Sequence, residues 1–224
     1  MTKTKSAPSA TAADELDVDS VMDHLQARRR EIAIGAIVVV ALTGGIILWR
    51  LSANQKADRA QRALTEATNA MYNGNRPLAA TELQNVADRY RDTAAGIEAA
   101  MMLAQIDFED AKWQDGIKVL EGTLSSSEIK MFKAPISGLM GGAYADLKKY
   151  DEAAKHYQAA ADASEYPAQK DVYQADEARV LALGGKKDDA KKIWAALAVK
   201  PESPTVAEAK VRLGELEAAA AGKN

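Results

Sequence analysis

Hydrophobic and polar positions divide the chain into three zones. Residues 32–49 form an uninterrupted run without a charge. At ~1.5 Å per helical residue such a run reaches about 27 Å, close to the thickness of a bilayer's hydrocarbon core. It predicts one membrane-spanning helix, because a soluble core helix of that length keeps a polar face. A cleaved signal peptide is the rival reading, since Arg28, Arg29 and Arg30 resemble its charged start. Its apolar core is usually shorter, however, and Trp49, Arg50 and Leu51 follow where small residues should mark a cleavage site. Residues 1–31 lack an apolar pattern and carry a loose acidic run, Asp14 to Asp23, which predicts a flexible acidic tail. Within it Val18, Val21, Met22 and Leu25 recur at helical steps, the stripe of a short helix.

From residue 50 onward the apolar positions follow helical periodicity. They predict helices over 52–73, 77–90, 94–111, 114–124, 135–148, 151–163, 168–183, 187–198 and 204–219. The separators are breakers or starters: Asn73-Gly74-Asn75 before Pro77, Gly184-Gly185, and Pro201 with Pro204. A 37-residue period organises this zone. Small residues coincide at Ala67, Ala104, Gly141 and Ala178, and again at Ala79, Gly116, Ala153 and Ala190. Large ones coincide at Leu83, Leu120, Tyr157 and Trp194. Two antiparallel helices approach closely only where small side chains cross, and a large side chain beside the crossing fills the wedge. One such hairpin cannot cover its own apolar face, so neighbours stack into a solenoid. The last helix, with Val206, Val211, Leu213 and Leu216 among charged residues, is the expected cap.

Composition narrows the chemistry. The 224 residues include no cysteine, which excludes disulfides, thiolate nucleophiles, iron–sulfur clusters and thiolate zinc sites. Net charge is -3 with 27% charged residues, unlike a polybasic nucleic-acid binder. Only 5% are aromatic, and alanine abounds, as closely packed helices require. His24 and His156 lack a second histidine nearby, and His156 is expected at the surface of a second helix. Acid pairs such as Glu109-Asp110 and Asp188-Asp189 sit at hairpin ends, where helix-start charge explains them. No phosphate loop, metal-ligand spacing or nucleophile elbow is present. The expectation is a noncatalytic protein without cofactor, metal, nucleic acid or small-molecule substrate.

Gly141, Tyr144, Tyr150, Ala153, Tyr157 and Ala160 resemble the small-and-aromatic signature of the tetratricopeptide repeat, although the usual period is 34 residues. The fold class read from pattern and resemblance together is all-α: one N-terminal transmembrane helix followed by a tetratricopeptide-repeat-like α-solenoid. That solenoid has about four helical hairpins and a C-terminal capping helix. The domains are 1–31, an acidic cytoplasmic tail; 32–49, the span; and 50–224, the repeats. Taken whole, with Ile97-Glu98-Ala99-Ala100, the stretch from Gly185 to Trp194, and Pro204 to Leu216, the chain resembles the YfgM-type ancillary subunit of the bacterial Sec translocon. That resemblance implies a single-pass inner-membrane protein with periplasmic repeats. It would work beside the translocon and a membrane-anchored periplasmic chaperone or prolyl isomerase, assisting exported client proteins. A structural coordinator of cell-envelope assembly or division remains the alternative.

In resembling proteins the first helix of each hairpin lines a concave groove that binds protein segments. Carried over, Leu64, Thr68, Met71, Met101, Gln105, Phe108 and Arg179 would face it, with Gly138, Gly142, Ala145, Ala175 and Ala182 forming a barer back half. Packing in the core is the alternative fate of each. Met131 and Phe132 follow a polar turn before Pro135, either as an exposed contact or tucked between hairpins. Arg28, Arg29 and Arg30, against Trp49 and Arg50, mark the membrane interfaces. The compact arginine triplet places the N-terminus in the cytoplasm, although Arg50, Lys56, Arg59 and Arg62 nearly match it in charge.

Overall fold

The computed structural model describes residues 29–124 and 129–221. The tail helix read around Val18 to Leu25, His24, Arg28 and the serines at 125–127 therefore lie outside the described residues. Among those described, nine helices and no strands are found: α1 Arg29–Tyr72, α2 Arg76–Arg89, α3 Ala94–Glu109, α4 Trp113–Thr123, α5 Ile129–Asp146, α6 Tyr150–Ala163, α7 Pro167–Leu183, α8 Lys187–Ala198 and α9 Val206–Ala221. The chain divides after Ala53 into two compact units, and α1 contributes residues to both.

In the first unit α1 is long and apolar enough to cross a membrane. Its large side chains, Ile34, Val40, Leu48 and Trp49 among them, are exposed, as are Arg29, Arg30 and Arg50. Thr43, the one hydroxyl of residues 32–49, donates to the Val39 carbonyl at 2.7 Å. Folding the hydroxyl back onto its own helix removes a polar group that a lipid surface would have to desolvate.

The second unit pairs residues 54–72 of α1 with α2, then α3 with α4, α5 with α6, and α7 with α8, and α9 docks on α8. Its core falls into three clusters of buried residues. The repeat registers explain them. Ala67, Ala104 and Ala178 are fully buried, as are Ala79, Ala153 and Ala190, with Gly116 and Gly141 completing the small-residue positions. Leu83, Leu120 and Trp194 fill the wedges with at most 1% exposure. Small residues thus set the helix separation, and large ones occupy the space this opens.

Each hairpin turn repeats one backbone motif. Gly74, Ala111, Lys148 and Gly185, spaced by 37 residues, all have positive φ, of 76°, 58°, 57° and 84°. The next residue donates its N–H back to the last helical turn, Asn75 to Ala70 at 2.9 Å, Lys112 to Asp107 at 2.7 Å, Lys149 to Tyr144 at 2.9 Å and Lys186 to Leu181 at 2.8 Å. This is the left-handed helix stop that satisfies otherwise orphaned carbonyls, and its carbonyl then starts the next helix. A side chain at positive φ costs roughly 1–2 kcal/mol, of which glycine's greater freedom in the unfolded chain returns part. Lys148→Gly is therefore expected to stabilise the protein by about 0.5–1 kcal/mol, read as a rise in the urea midpoint.

Two boundaries depart from the sequence reading. The helix expected from residue 135 starts earlier, at Ile129, and carries Pro135 inside it. Phe132 packs against the cluster holding buried Ile136 and Met140, so one apolar stripe at helical spacing outweighs the hydrogen bond that proline removes. The last helix begins at Val206, after a turn in which the Ser203 and Thr205 hydroxyls, both buried, lie 3.0 Å apart.

Candidate protein-binding cleft

The first helices of the second, third and fourth hairpins converge on a cleft of about 410 Å³. From α3 come Met101, Gln105 and Phe108, on one face at steps of four and three residues. Trp113, the first residue of α4, stacks on Phe108 with ring centroids 5.8 Å apart and planes at 22°. Phe108 can lie flat because Gly116 backs it: a Cβ there would stand 2.4 Å from the ring. One wall is therefore a two-ring shelf with a flexible methionine above it.

Opposite stand Gly138 and Gly142 of α5, Tyr157 of α6 and Tyr173 of α7. The glycines do not leave bare backbone, as the sequence alone suggested. Tyr173 lies against Gly138, where a Cβ would meet its ring at 2.6 Å, and Gly141 accepts the Tyr157 ring, where a Cβ would meet it at 2.9 Å. The tyrosines take the room the glycines vacate, and this wall too becomes aromatic. Burial, reinforced by Asp176, pushes the Tyr157 phenol up to about 12, and burial raises Tyr173 as well. Both hydroxyls stay neutral at physiological pH, each able to donate and accept a hydrogen bond. Asp146 and Asp176 complete the rim.

Of the positions expected to line a groove, Met101, Gln105, Phe108, Gly138 and Gly142 meet here. Others do not. Leu64 is 3% exposed, packed with Leu83 and Val86 in the core, so it is unavailable to a partner. Thr68 is half-buried, its hydroxyl donating to the Leu64 carbonyl at 2.6 Å, and Met71 is exposed, but neither reaches the cleft. Ala175 is fully buried. Ala145 and Ala182 pack on the core, and Ala182 also borders a second cleft. Arg179 belongs to that second cleft too, of about 440 Å³, between α7, α8 and α9. There its guanidinium bonds Glu208 at 2.8 and 2.5 Å and also Asp176, which raises its pKa, fixing the capping helix to the last hairpin rather than standing free. Met131 is exposed while Phe132 packs inward.

Sequence reasoning missed Trp113, Asp146, Tyr157, Tyr173 and Asp176 as cleft residues. Tyr157 carried one usable signal, as the only wedge residue in its register with a hydroxyl. His156, expected at the surface, is half-buried and stacks on Tyr144 with centroids 5.0 Å apart, and burial lowers its pKa.

A second buried ionisable group gives a pH signature. Glu177 on α7 is pushed up to about 7 by burial and then by Asp162 on α6. Because the folded state holds this proton more tightly than the unfolded chain, the stability that Glu177 contributes is fully present below about pH 4.5 and is lost as pH rises through 7. Glu177→Gln is expected to gain about 1–2 kcal/mol over the wild type at pH 8, discounted for partial exposure, and little at pH 4.5. Paired urea titrations at the two pH values check it.

The chain matches the family model of the tetratricopeptide repeat-like domain over residues 25–218. Its fold is similar to the crystal structure of a putative kinesin light chain with nearly identical TPR-like repeats from Podosopora anserina: TM-score 0.55, 16% identity, covering 74% of this chain and 89% of that one. It is likewise similar to BtubC (BKLC) from P. vanneervenii, with TM-score 0.55, 14% identity and coverage of 75% and 84%. No curated protein matches it by sequence.

Proposed function

The chain belongs to the tetratricopeptide repeat-like domain family, and from that premise we propose that it is a noncatalytic, membrane-anchored scaffold holding partner proteins in the cleft. The observation that carries this reading is the cleft itself. Phe108, Trp113, Tyr157 and Tyr173 line one open concavity of about 410 Å³, and rigid aromatic walls bind protein segments at low entropic cost. Met101 adds adaptable contact for varied sequences. The anchor is residues 32–49, whose exposed apolar side chains need a lipid surface to cover them, with Trp49 and Arg50 at one interface and the Arg28 to Arg30 triplet at the other.

The triplet sets the N-terminus in the cytoplasm and the repeats in the periplasm. The resemblance to the YfgM-type subunit supports the Sec translocon of the bacterial inner membrane as the place of work. The partners are then the translocon, a membrane-anchored periplasmic chaperone or prolyl isomerase, and exported clients. Photocrosslinking from Phe108 and Met131 in intact membranes tests this. Adducts with translocon or chaperone components are expected from Phe108. Adducts with division or envelope-assembly proteins instead would replace the reading by the coordinator role. Recovery of the full-length chain in the soluble fraction after alkaline extraction would end the anchor.

A further inference from the structure

The cleft is aromatic on both walls and acidic at its rim. Phe108 and Trp113 line it on one side and Tyr157 and Tyr173 on the other. The charged residues lining it are Asp146 and Asp176, with no lysine, arginine or histidine among the described lining residues. Asp176 is answered by Arg179, whose charge is already shared with Glu208. Asp146, at the end of α5, is exposed and enters no ion pair among the described residues. Aromatic faces carry negative charge and attract cations, and an unanswered carboxylate beside them adds to the same field. An acidic segment would meet repulsion at Asp146 and find no cation among the described lining residues to compensate it.

Resting on the reading of this cleft as a protein-binding site, we infer that it takes a basic amphipathic segment, one in which lysine or arginine flanks a large apolar side chain. The apolar side chain enters between the Phe108–Trp113 shelf and Tyr157, and the flanking cation reaches Asp146. Charge sets which segments enter, and the aromatic walls hold them.

The test uses the full-length chain in nonionic detergent micelles and fluorescein-labelled decapeptides with a common Leu-Phe core, flanked by lysine, glutamine or glutamate. Fluorescence anisotropy is expected to rank them lysine first and glutamate last, separated by at least about fivefold in Kd. Raising salt from about 50 to about 500 mM should shrink the gap to within about twofold. Asp146→Lys, at an exposed position, should abolish or reverse the ranking, whereas Glu98→Lys, on α3 outside the cleft, should leave it unchanged. Equal binding of the three peptides, or an identical response to the two variants, overturns the inference while leaving a protein-binding cleft. Failure of every peptide to bind, with no adduct from a photoprobe at Phe108, overturns both.

Discussion

Trp194→Ala should cost about 3–5 kcal/mol, the range for removing a fully buried large aromatic side chain. Trp194 fills the wedge of the fourth hairpin at 1% exposure, within a cluster that includes Ala178, Ala190, Leu197 and Ala209. Ala178, Ala190 and Ala209 beside it are too short to refill the void, and Leu181 and Leu197 are already packed in the same cluster. A stack in which each hairpin touches only its neighbours should feel this loss unevenly. Hydrogen exchange is expected to show α8 and α9 losing protection first, with α2 and α3 retaining it, and the urea midpoint should fall. Uniform loss across all hairpins would mean that the repeats unfold as one cooperative unit.

Gly96→Ala should be the other severe change, despite adding one methyl group and a better helix former. Thr93 closes the link between the first two hairpins: its N–H and hydroxyl both donate to the Tyr90 carbonyl, at 2.9 and 2.8 Å, and its hydroxyl oxygen accepts the Gly96 N–H at 3.1 Å. A Cβ on Gly96 would stand 2.0 Å from that same carbonyl oxygen. The obstacle is backbone and cannot rotate away, so the whole turn must move and break its own hydrogen bonds. The expected net loss is about 2–3 kcal/mol, read from urea denaturation. Gly214→Ala in α9 is the matched control: nothing lies within 4 Å of its Cβ, and the change should stabilise by about 0.5–1 kcal/mol.

That contrast shows where sequence reasoning stops. Both glycines sit inside helical patterns and look alike in the chain, and only the turn folded over Gly96 gives the substitutions opposite signs. The cleft tells the same story. Gly138 and Gly142 read as a bare wall, because a glycine announces a close approach without naming what approaches. Here it is Tyr173 and Tyr157, from helices that follow in the chain. Leu64 and Met101 share one register of the repeat, yet Leu64 is sealed behind α2 and α3 while Met101 meets the cleft.

Helix positions apart from the starts of α5 and α9, the 37-residue period, the apolar run at 32–49 and the burial of every small seam residue were legible in the sequence. Each follows from local backbone preference or from the demand that one face of each helix be covered. The left-handed residue at each turn recurs on the same period, even where Ala111 and Lys148 replace glycine. The aromatic walls, the unanswered carboxylate of Asp146 and the tethering of Arg179 to Glu208 were decided only by tertiary structure. They depend on which side chains from different hairpins meet in space. Helical periodicity states which face is buried, and the stacking of hairpins states against what.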